Sequence, residues 1–277
     1  MDRAMTRSFH QIACKGEMLA ATLDSGKSST ALMIVSGGNE IRSGAHGGMA
    51  QLALRISGHG FPVLRYDRRG IGDSSGENRE FLSSAEEIAA ATRLFRQQQP
   101  QIGKIIAFGN CDAATALALY GPDAGLDGYM LANPWVIEQS SEPENEEPTI
   151  SSAAIRSRYW DRIRNPRSII DLLSGKIDLR KLLRGLKQAA KVEENSALSI
   201  RLRDALVNID GNSRILLAKR DTTARAFLAA WNSSDFASLR DSTDITIETL
   251  DSASHSFADA TAKDWLVGKL LEALRSA

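Results

Sequence analysis

Three residues of types that can work together on a carbonyl carbon each follow a strand-like run: Cys111, Asp221 and His255, in that chain order. Cys111 stands in Gly109-Asn110-Cys111-Asp112-Ala113, after the apolar run Lys104–Gly109 and before the helix-forming stretch Ala113–Tyr120. Gly109 and Ala113 are small, as a sharp strand-to-helix turn around a nucleophile requires, because the backbone there is strained and closely packed. A thiol at the start of a helix also gains from the dipole, which favours its thiolate. His255 follows Ile245–Leu250 and precedes the final helix, so it is placed to take the thiol proton and return it to a leaving group. The Cys–His pair has a second resting form, thiolate with imidazolium. Asp221, after Arg214–Ala218, is the acid that would accept the other imidazole proton and fix the tautomer. Asp251, closer to His255 in sequence, is the alternative. An oxyanion needs two N–H donors. One is expected from Asp112, and the other from Gly38 or Asn39 in the loop after Ala31–Ser36. Against all this stands the reading of Cys111 as a buried structural cysteine, since free Cys is among the most buried residue types.

Gly72-Asp73-Ser74-Ser75-Gly76 matches the nucleophile motif G-x-S-x-G by letters alone. It does not leave a strand directly, and Glu77-Asn78-Arg79 does not open an apolar helix, so the context that gives the motif meaning is missing. Ser74 and Asp67 are expected to fix a turn-rich loop. Of the remaining histidines, His10 lies in a terminal strand, His59 in a Gly-His-Gly turn, and His46 after a glycine-rich loop from which it could face the site.

The elements that must position these residues are apolar runs alternating with helical patterns. The runs are Ala31–Ser36, Phe61–Asp67, Lys104–Gly109, Gly128–Ala132, Arg214–Ala218 and Ile245–Leu250. Gly48–Ser57 and Ser83–Gln98 separate the early ones, the latter with Ile88, Ala91, Leu94 and Phe95 at helical spacing. Continuous apolar strands between helices predict an α/β fold with a mostly parallel sheet covered on both faces. Ser8–Cys14 and Glu17–Leu23, joined at Lys15-Gly16, read as an antiparallel pair. The alternation breaks over 135–211. That stretch opens with an acidic, Pro-containing segment, Glu138 to Pro148, that cannot bury apolar area. Short helices follow at Ile150–Asn165, Ser168–Leu173, Leu179–Val192 and Ala197–Asn208. The organisation expected is a core of 1–134 and 212–277 with a helical cap of 135–211. Tyr159, Trp160 and Ile163 of the cap are candidates to line an apolar acyl pocket or to form plain cap core.

Composition bounds the function. The chain has 277 residues, with 34 Lys+Arg against 34 Asp+Glu, so its formal net charge is zero. Nucleic-acid binders draw most of their affinity from neutralising phosphates and are usually basic, so no nucleic-acid partner is expected. The basic stretch Arg156 to Arg203 is laced with acids and apolar residues and reads as solvated helix faces. Two cysteines, Cys14 and Cys111, make neither a disulfide framework nor a zinc cluster. Histidine and cysteine are too scattered for a metal site. No phosphate-binding glycine motif follows a strand, and no cofactor is expected. Met1–His10 lacks the apolar region of a signal peptide, and no apolar run approaches a membrane span. The expected location is therefore cytoplasmic.

Several segments together carry a resemblance: Asp67-Arg68-Arg69-Gly70-Ile71-Gly72-Asp73-Ser74-Ser75-Gly76, the turn at Cys111, Asn133-Pro134-Trp135 and Ser254-His255-Ser256-Phe257. They resemble the α/β-hydrolase superfamily, whose chain order is nucleophile, acid, histidine. More narrowly, Gly109-Asn110-Cys111-Asp112-Ala113-Ala114 with Asn133-Pro134-Trp135 resembles the hydrolases associated with the exosortase A system, bacterial proteins encoded beside exopolysaccharide and protein-sorting genes. Many superfamily members carry serine where Cys111 stands and glycine where Ala113 stands. The resemblance implies an α/β-hydrolase fold and a hydrolase of open substrate; the residues Cys111, His255 and Asp221 add the expectation of a cytosolic hydrolase acting on an ester or thioester. An acyltransferase using the same residues and a non-catalytic scaffold are the rival readings. The oligomeric state stays open.

Overall fold

The computed structural model describes residues 6–137, 196–209, 212–241 and 245–277. Eight strands form one sheet: β1 (Arg7–Cys14), β2 (Glu17–Asp24), β3 (Thr30–Val35), β4 (Val63–Tyr66), β5 (Lys104–Asn110), β6 (Gly128–Ala132), β7 (Asn212–Ala218) and β8 (Ile245–Leu250). Their order across the sheet is β1-β2-β4-β3-β5-β6-β7-β8. β1 and β2 pair antiparallel, as do β2 and β4, and every later pair is parallel. Lys15 and Gly16, with φ of 52° and 86°, form the two-residue turn between β1 and β2.

The central strands β3, β5 and β6 are largely apolar because both faces are buried. Ala31, Met33 and Val35 of β3 face one cluster, while Leu32 and Ile34 face the other. Ile105 and Ala107 of β5 alternate in the same way with Ile106 and Phe108, as a side-chain period of two demands. The first cluster is covered by α2 (Ser84–Gln98), α3 (Asp112–Tyr120), α4 (Ala197–Val207) and α5 (Thr222–Trp231), and the second by α1 (Gly48–Gly58) and α7 (Ala260–Ser276). A short helix, α6 (Ala237–Arg240), follows α5. α4 falls in the stretch read as a cap, yet Leu202 and Leu206 are buried in the first cluster with α3. The other helices expected at 150–165, 168–173 and 179–192, with Tyr159, Trp160 and Ile163, lie outside the described residues.

The sheet fixes where a ligand can sit. The chain runs from β3 to β4 on one side and then returns to place β5 on the other side of β3. Between β3 and β5 the direction of winding reverses, and in open parallel sheets a crevice forms there beyond the carboxyl ends of the strands. Val35 pairs with Gly109 at that end. The loop Gly37-Gly38-Asn39 therefore meets the turn at Cys111.

Close packing of β5 on α3 depends on Gly109. A Cβ there would lie 2.8 Å from the Ala113 carbonyl carbon and 2.9 Å from Leu117 Cδ1. Backbone cannot yield as a flexible side chain does, so Gly109→Ala should destabilise the fold by about 1–3 kcal/mol. Urea unfolding measures this, and an unchanged midpoint would contradict the packing described.

Candidate active site

Cys111 is the residue between β5 and α3 and the N-cap of that helix. Its backbone has φ 62° and ψ −127°. Such a conformation costs a non-glycine residue on the order of 1–3 kcal/mol and persists only where its surroundings over-determine it. Here the Cys111 N–H donates to the Ala132 carbonyl at 3.0 Å, and its own carbonyl accepts from Ala114 at 3.1 Å and Trp135 at 3.3 Å. Gly37 permits the neighbouring loop to approach, since a Cβ there would lie 2.5 Å from the Asn110 carbonyl oxygen. The side chain of Cys111 is partly exposed, whereas Cys14 is buried.

His255 lies beyond β8. Its Nδ1 is 3.1 Å from Asp221 Oδ2, and its side chain also hydrogen-bonds Cys111. Asp221 is the N-cap of α5, where the same Oδ2 accepts from the Ala224 N–H at 3.0 Å. The helix start thus fixes the carboxylate that faces the imidazole. The hydrogen bond with Asp221, then that with Cys111, pushes the His255 imidazole from 6.5 up to about 10, against the opposing effect of burial. Burial raises the Asp221 carboxyl, but the hydrogen bonds from His255 and the Ala224 N–H outweigh it and hold the group below its ordinary 3.8. Asp251, the alternative acid, is exposed and pairs with Arg220 at 3.0 Å.

One buried amide ties these loops together. Asn133, just after β6, is fully buried with φ 41°. Its Nδ2 donates to Asn110 Oδ1 and to the His255 carbonyl, each at 3.0 Å, and its Oδ1 accepts from the Ala218 N–H at 2.9 Å. Asn110 adjoins Cys111, Ala218 ends the strand that leads to Asp221, and the third partner is His255 itself.

The expected oxyanion donors have different fates. The Asp112 N–H, in the first turn of α3, has no partner among the described residues, as the start of a helix dictates. The Gly38 N–H does have one: it donates to Asp112 Oδ1 at 2.6 Å. Arg68, buried at 1% exposure, donates to Asp112 Oδ2 at 3.2 Å and also to the Gly38 carbonyl. The Asn39 side chain accepts from Asn78 Nδ2 at 2.8 Å, while its backbone N–H has no partner among the described residues. A cavity of about 410 Å³ opens beside these groups; Cys111, Asp112, Gly38 and Arg68 line it together with the apolar Phe81, Trp135, Ile137 and Leu198 and the charged Glu80 and Arg201.

The other candidates lie elsewhere. Ser74 is buried, donates to the Asp67 carbonyl at 2.8 Å and accepts from the Ala20 N–H at 2.9 Å. Its hydroxyl is committed to the backbone. His10 pairs with Ser8 at 2.8 Å in β1, and His46 and His59 are exposed. Among the described residues no group of three His, Cys, Asp or Glu could hold a metal ion, and no helix is long and apolar enough to cross a membrane.

Three residues at the site carry no assigned role in the sequence: Asn133 and Arg68, which appear there only within the segments that carry the resemblance, and Glu40. Glu40 is half-buried near His255 and Asp112. Burial raises its carboxyl, partly countered by the His255 charge. The available signal was position, since Arg68 and Asn133 both directly follow a strand's carboxyl end or lie within two residues of it.

No protein-family model matches the sequence, and no curated protein matches it closely enough to count as a relative. Solved structures do match. An esterase of Pyrococcus furiosus superposes with a TM-score of 0.66 at 12% identity, covering 99% of this chain and 93% of that one. An esterase of Butyrivibrio proteoclasticus with bound ferulic acid gives 0.59 at 14%, covering 96% and 99%. A serine hydrolase homologue of Coxiella burnetii gives 0.58 at 15%, covering 98% and 99%. With the mostly parallel eight-stranded sheet, these likenesses define the class: the chain has the α/β-hydrolase fold.

Two measurements probe this architecture. Asn133→Asp would turn a carboxylate toward Asn110 Oδ1 and the His255 carbonyl. It should cost about 3 kcal/mol or more, read by urea unfolding, because it buries an unpaired charge among acceptors. The His255 pKa is raised on folding, so its contribution to stability is complete below pH 6.5 and is lost as pH rises through about 10. Unfolding free energies measured across that range should fall more steeply for wild type than for His255→Gln. Parallel curves would contradict the Asp221–His255 pairing.

Proposed function

We propose that the protein is a cysteine hydrolase that cleaves an ester or thioester with Cys111 as nucleophile, His255 as proton shuttle and Asp221 as the acid that orients it. The observation that carries this reading is that Asp221 Oδ2 lies 3.1 Å from His255 Nδ1, with Cys111 close enough to raise the same imidazole. The cavity beside Cys111, whose lining includes the apolar Phe81, Trp135, Ile137 and Leu198, supplies room for an acyl chain.

In the first half-reaction the Cys111 sulfur attacks the carbonyl carbon, and the carbonyl π pair moves onto oxygen. The Asp112 N–H and a donor from the Gly38-Asn39 loop receive that oxyanion. Collapse breaks the bond to the leaving group, which departs with the proton held by the His255 imidazolium and leaves an acyl thioester on Cys111. In the second, neutral His255 takes a proton from water as the hydroxide oxygen adds to the thioester. Collapse then returns Cys111 as thiolate and His255 as imidazolium, and releases the acid. Asp221 stays ionised throughout and stabilises the imidazolium.

The narrower placement rests on the motif at Cys111 and on Asn133-Pro134-Trp135: a cytoplasmic hydrolase associated with the exosortase A system. Residues 135–211 would act as the cap that selects the acyl group. The α/β-hydrolase fold of the two esterases named above is consistent with ester chemistry on this scaffold.

Turnover of a short acyl thioester and the matching p-nitrophenyl ester tests the reading. Cys111→Ala should lower it by at least about a thousandfold and abolish the acyl adduct seen by intact mass. Ser74→Ala should leave activity per folded molecule unchanged. Activity that survives in Cys111→Ala overturns the assignment.

A further inference from the structure

The donor expected from Gly38 is already occupied by the protein's own carboxylate. Asp112 Oδ1 lies 2.6 Å from the Gly38 nitrogen, and its other oxygen is 3.2 Å from Arg68 Nη1. Arg68 also donates to the Gly38 carbonyl, so one buried guanidinium grips both the loop and the carboxylate that sits on it. A negative oxygen is therefore bound next to Cys111, on a donor that a tetrahedral intermediate would require. A developing oxyanion there would meet a second anion and lose a donor. With the carboxylate displaced, the same oxyanion would find the donor free and the Arg68 charge behind it. Resting and reacting states would then place one negative charge in the same cradle. Arg68 is well suited to such an exchange. It lines the cavity, and its buried Nε has no hydrogen-bond partner.

We propose that Asp112 is a specificity-determining residue that gates the oxyanion hole: its carboxylate, held by Arg68, fills the donor site on Gly38 until the carbonyl oxygen of a cavity-filling acyl substrate displaces it. This deepens the hydrolase reading and rests on it. Binding energy from an acyl chain on Phe81, Trp135, Ile137 and Leu198 is what drives the exchange. Short acyl groups lack it and acylate Cys111 slowly even at saturation. Specificity of this kind arises when substrate binding assembles the catalytic site.

The test separates the hole from the thiol. Iodoacetamide alkylates Cys111 by displacement of iodide at carbon and forms no oxyanion, so its rate reports the thiolate alone. Acylation by p-nitrophenyl acetate requires the oxyanion. For wild type, Asp112→Asn and Asp112→Ala, intact-mass kinetics give the ratio of acylation to alkylation at Cys111, with urea unfolding as the folding check. The ratio should rise by about tenfold or more in Asp112→Ala, in keeping with the weight of a single oxyanion donor, and by less in Asp112→Asn, whose neutral amide still accepts from Gly38. A ratio that stays level or falls in a folded variant overturns the gate and makes Asp112 a structural clip. Wild type offers a second readout that needs no variant. The acylation rate constant at saturation should climb from acetate to octanoate, and equal constants overturn the gate. If no ester acylates Cys111 in any of these proteins, the hydrolase reading fails and takes the gate with it. An adduct with an unchanged ratio defeats the gate alone.

Discussion

The geometry of the site depends on one buried carboxamide. Asn133 uses both amide hydrogens and its carbonyl oxygen on three segments that lead into the site loops: the end of β5 at Asn110, the loop at His255 and the end of β7 at Ala218. Each loop carries or adjoins one member of the Cys111, His255 and Asp221 set. No other side-chain type of this size offers two donors and an acceptor at these positions; aspartate and leucine each lose partners. Because the residue is fully buried, any unmade bond carries the whole desolvation cost of the group left behind. The amide therefore does for the loops what the strand ladder does for the sheet. It also occupies a positive φ, tolerable for Asn, at the point where the chain leaves β6.

On that frame two charged pairs flank Cys111. On one side Asp221 and His255 form a pair whose interaction raises the imidazole and depresses the carboxyl. On the other, the buried Arg68 pairs with the partly exposed Asp112, which is bonded to the Gly38 loop. Each acid is anchored by backbone as well as by its cation: Asp221 by the N–H of Ala224, Asp112 by the N–H of Gly38. A carboxylate directly after a nucleophile is unfavourable for thiolate and oxyanion alike. Arg68 is what makes it tolerable, since a buried charge persists only when paired and hydrogen-bonded.

Much of the fold was legible in the sequence, because burial of both sheet faces writes a continuous apolar run wherever a central strand lies. Gly128–Ala132 and Ile245–Leu250 coincide with β6 and β8. The run begun at Phe61 starts as β4 only at Val63, since Pro62 has no N–H to give the ladder. β7 begins two residues earlier than its apolar run, through Asn212 and Ser213, because backbone pairing with β6 is indifferent to side-chain polarity. α5 carries Ala224, Phe227, Leu228 and Trp231 at helical spacing and was legible in the same way as α2, although only its cap, Asp221, is singled out in the sequence. At the site, the positions of Cys111, Asp221 and His255 after successive strands are local features and could be read. The roles of Asn133, Arg68 and the Asp112 carboxylate could not, because each is defined by partners 23 to 122 residues away.

The strain at Cys111 connects these observations. Its turn is held from β6 through Ala132, from α3 through Ala114 and from the following loop through Trp135. Relaxing φ toward the ordinary region would break at least one of those bonds. The thiol is therefore fixed at the mouth of the cavity whatever its neighbours do. In the proposed reaction the groups that change state around Cys111 are the imidazole, which holds or yields a proton, and the carboxylate, which would occupy or vacate the Gly38 N–H. The fold places one such group on either side of the sulfur.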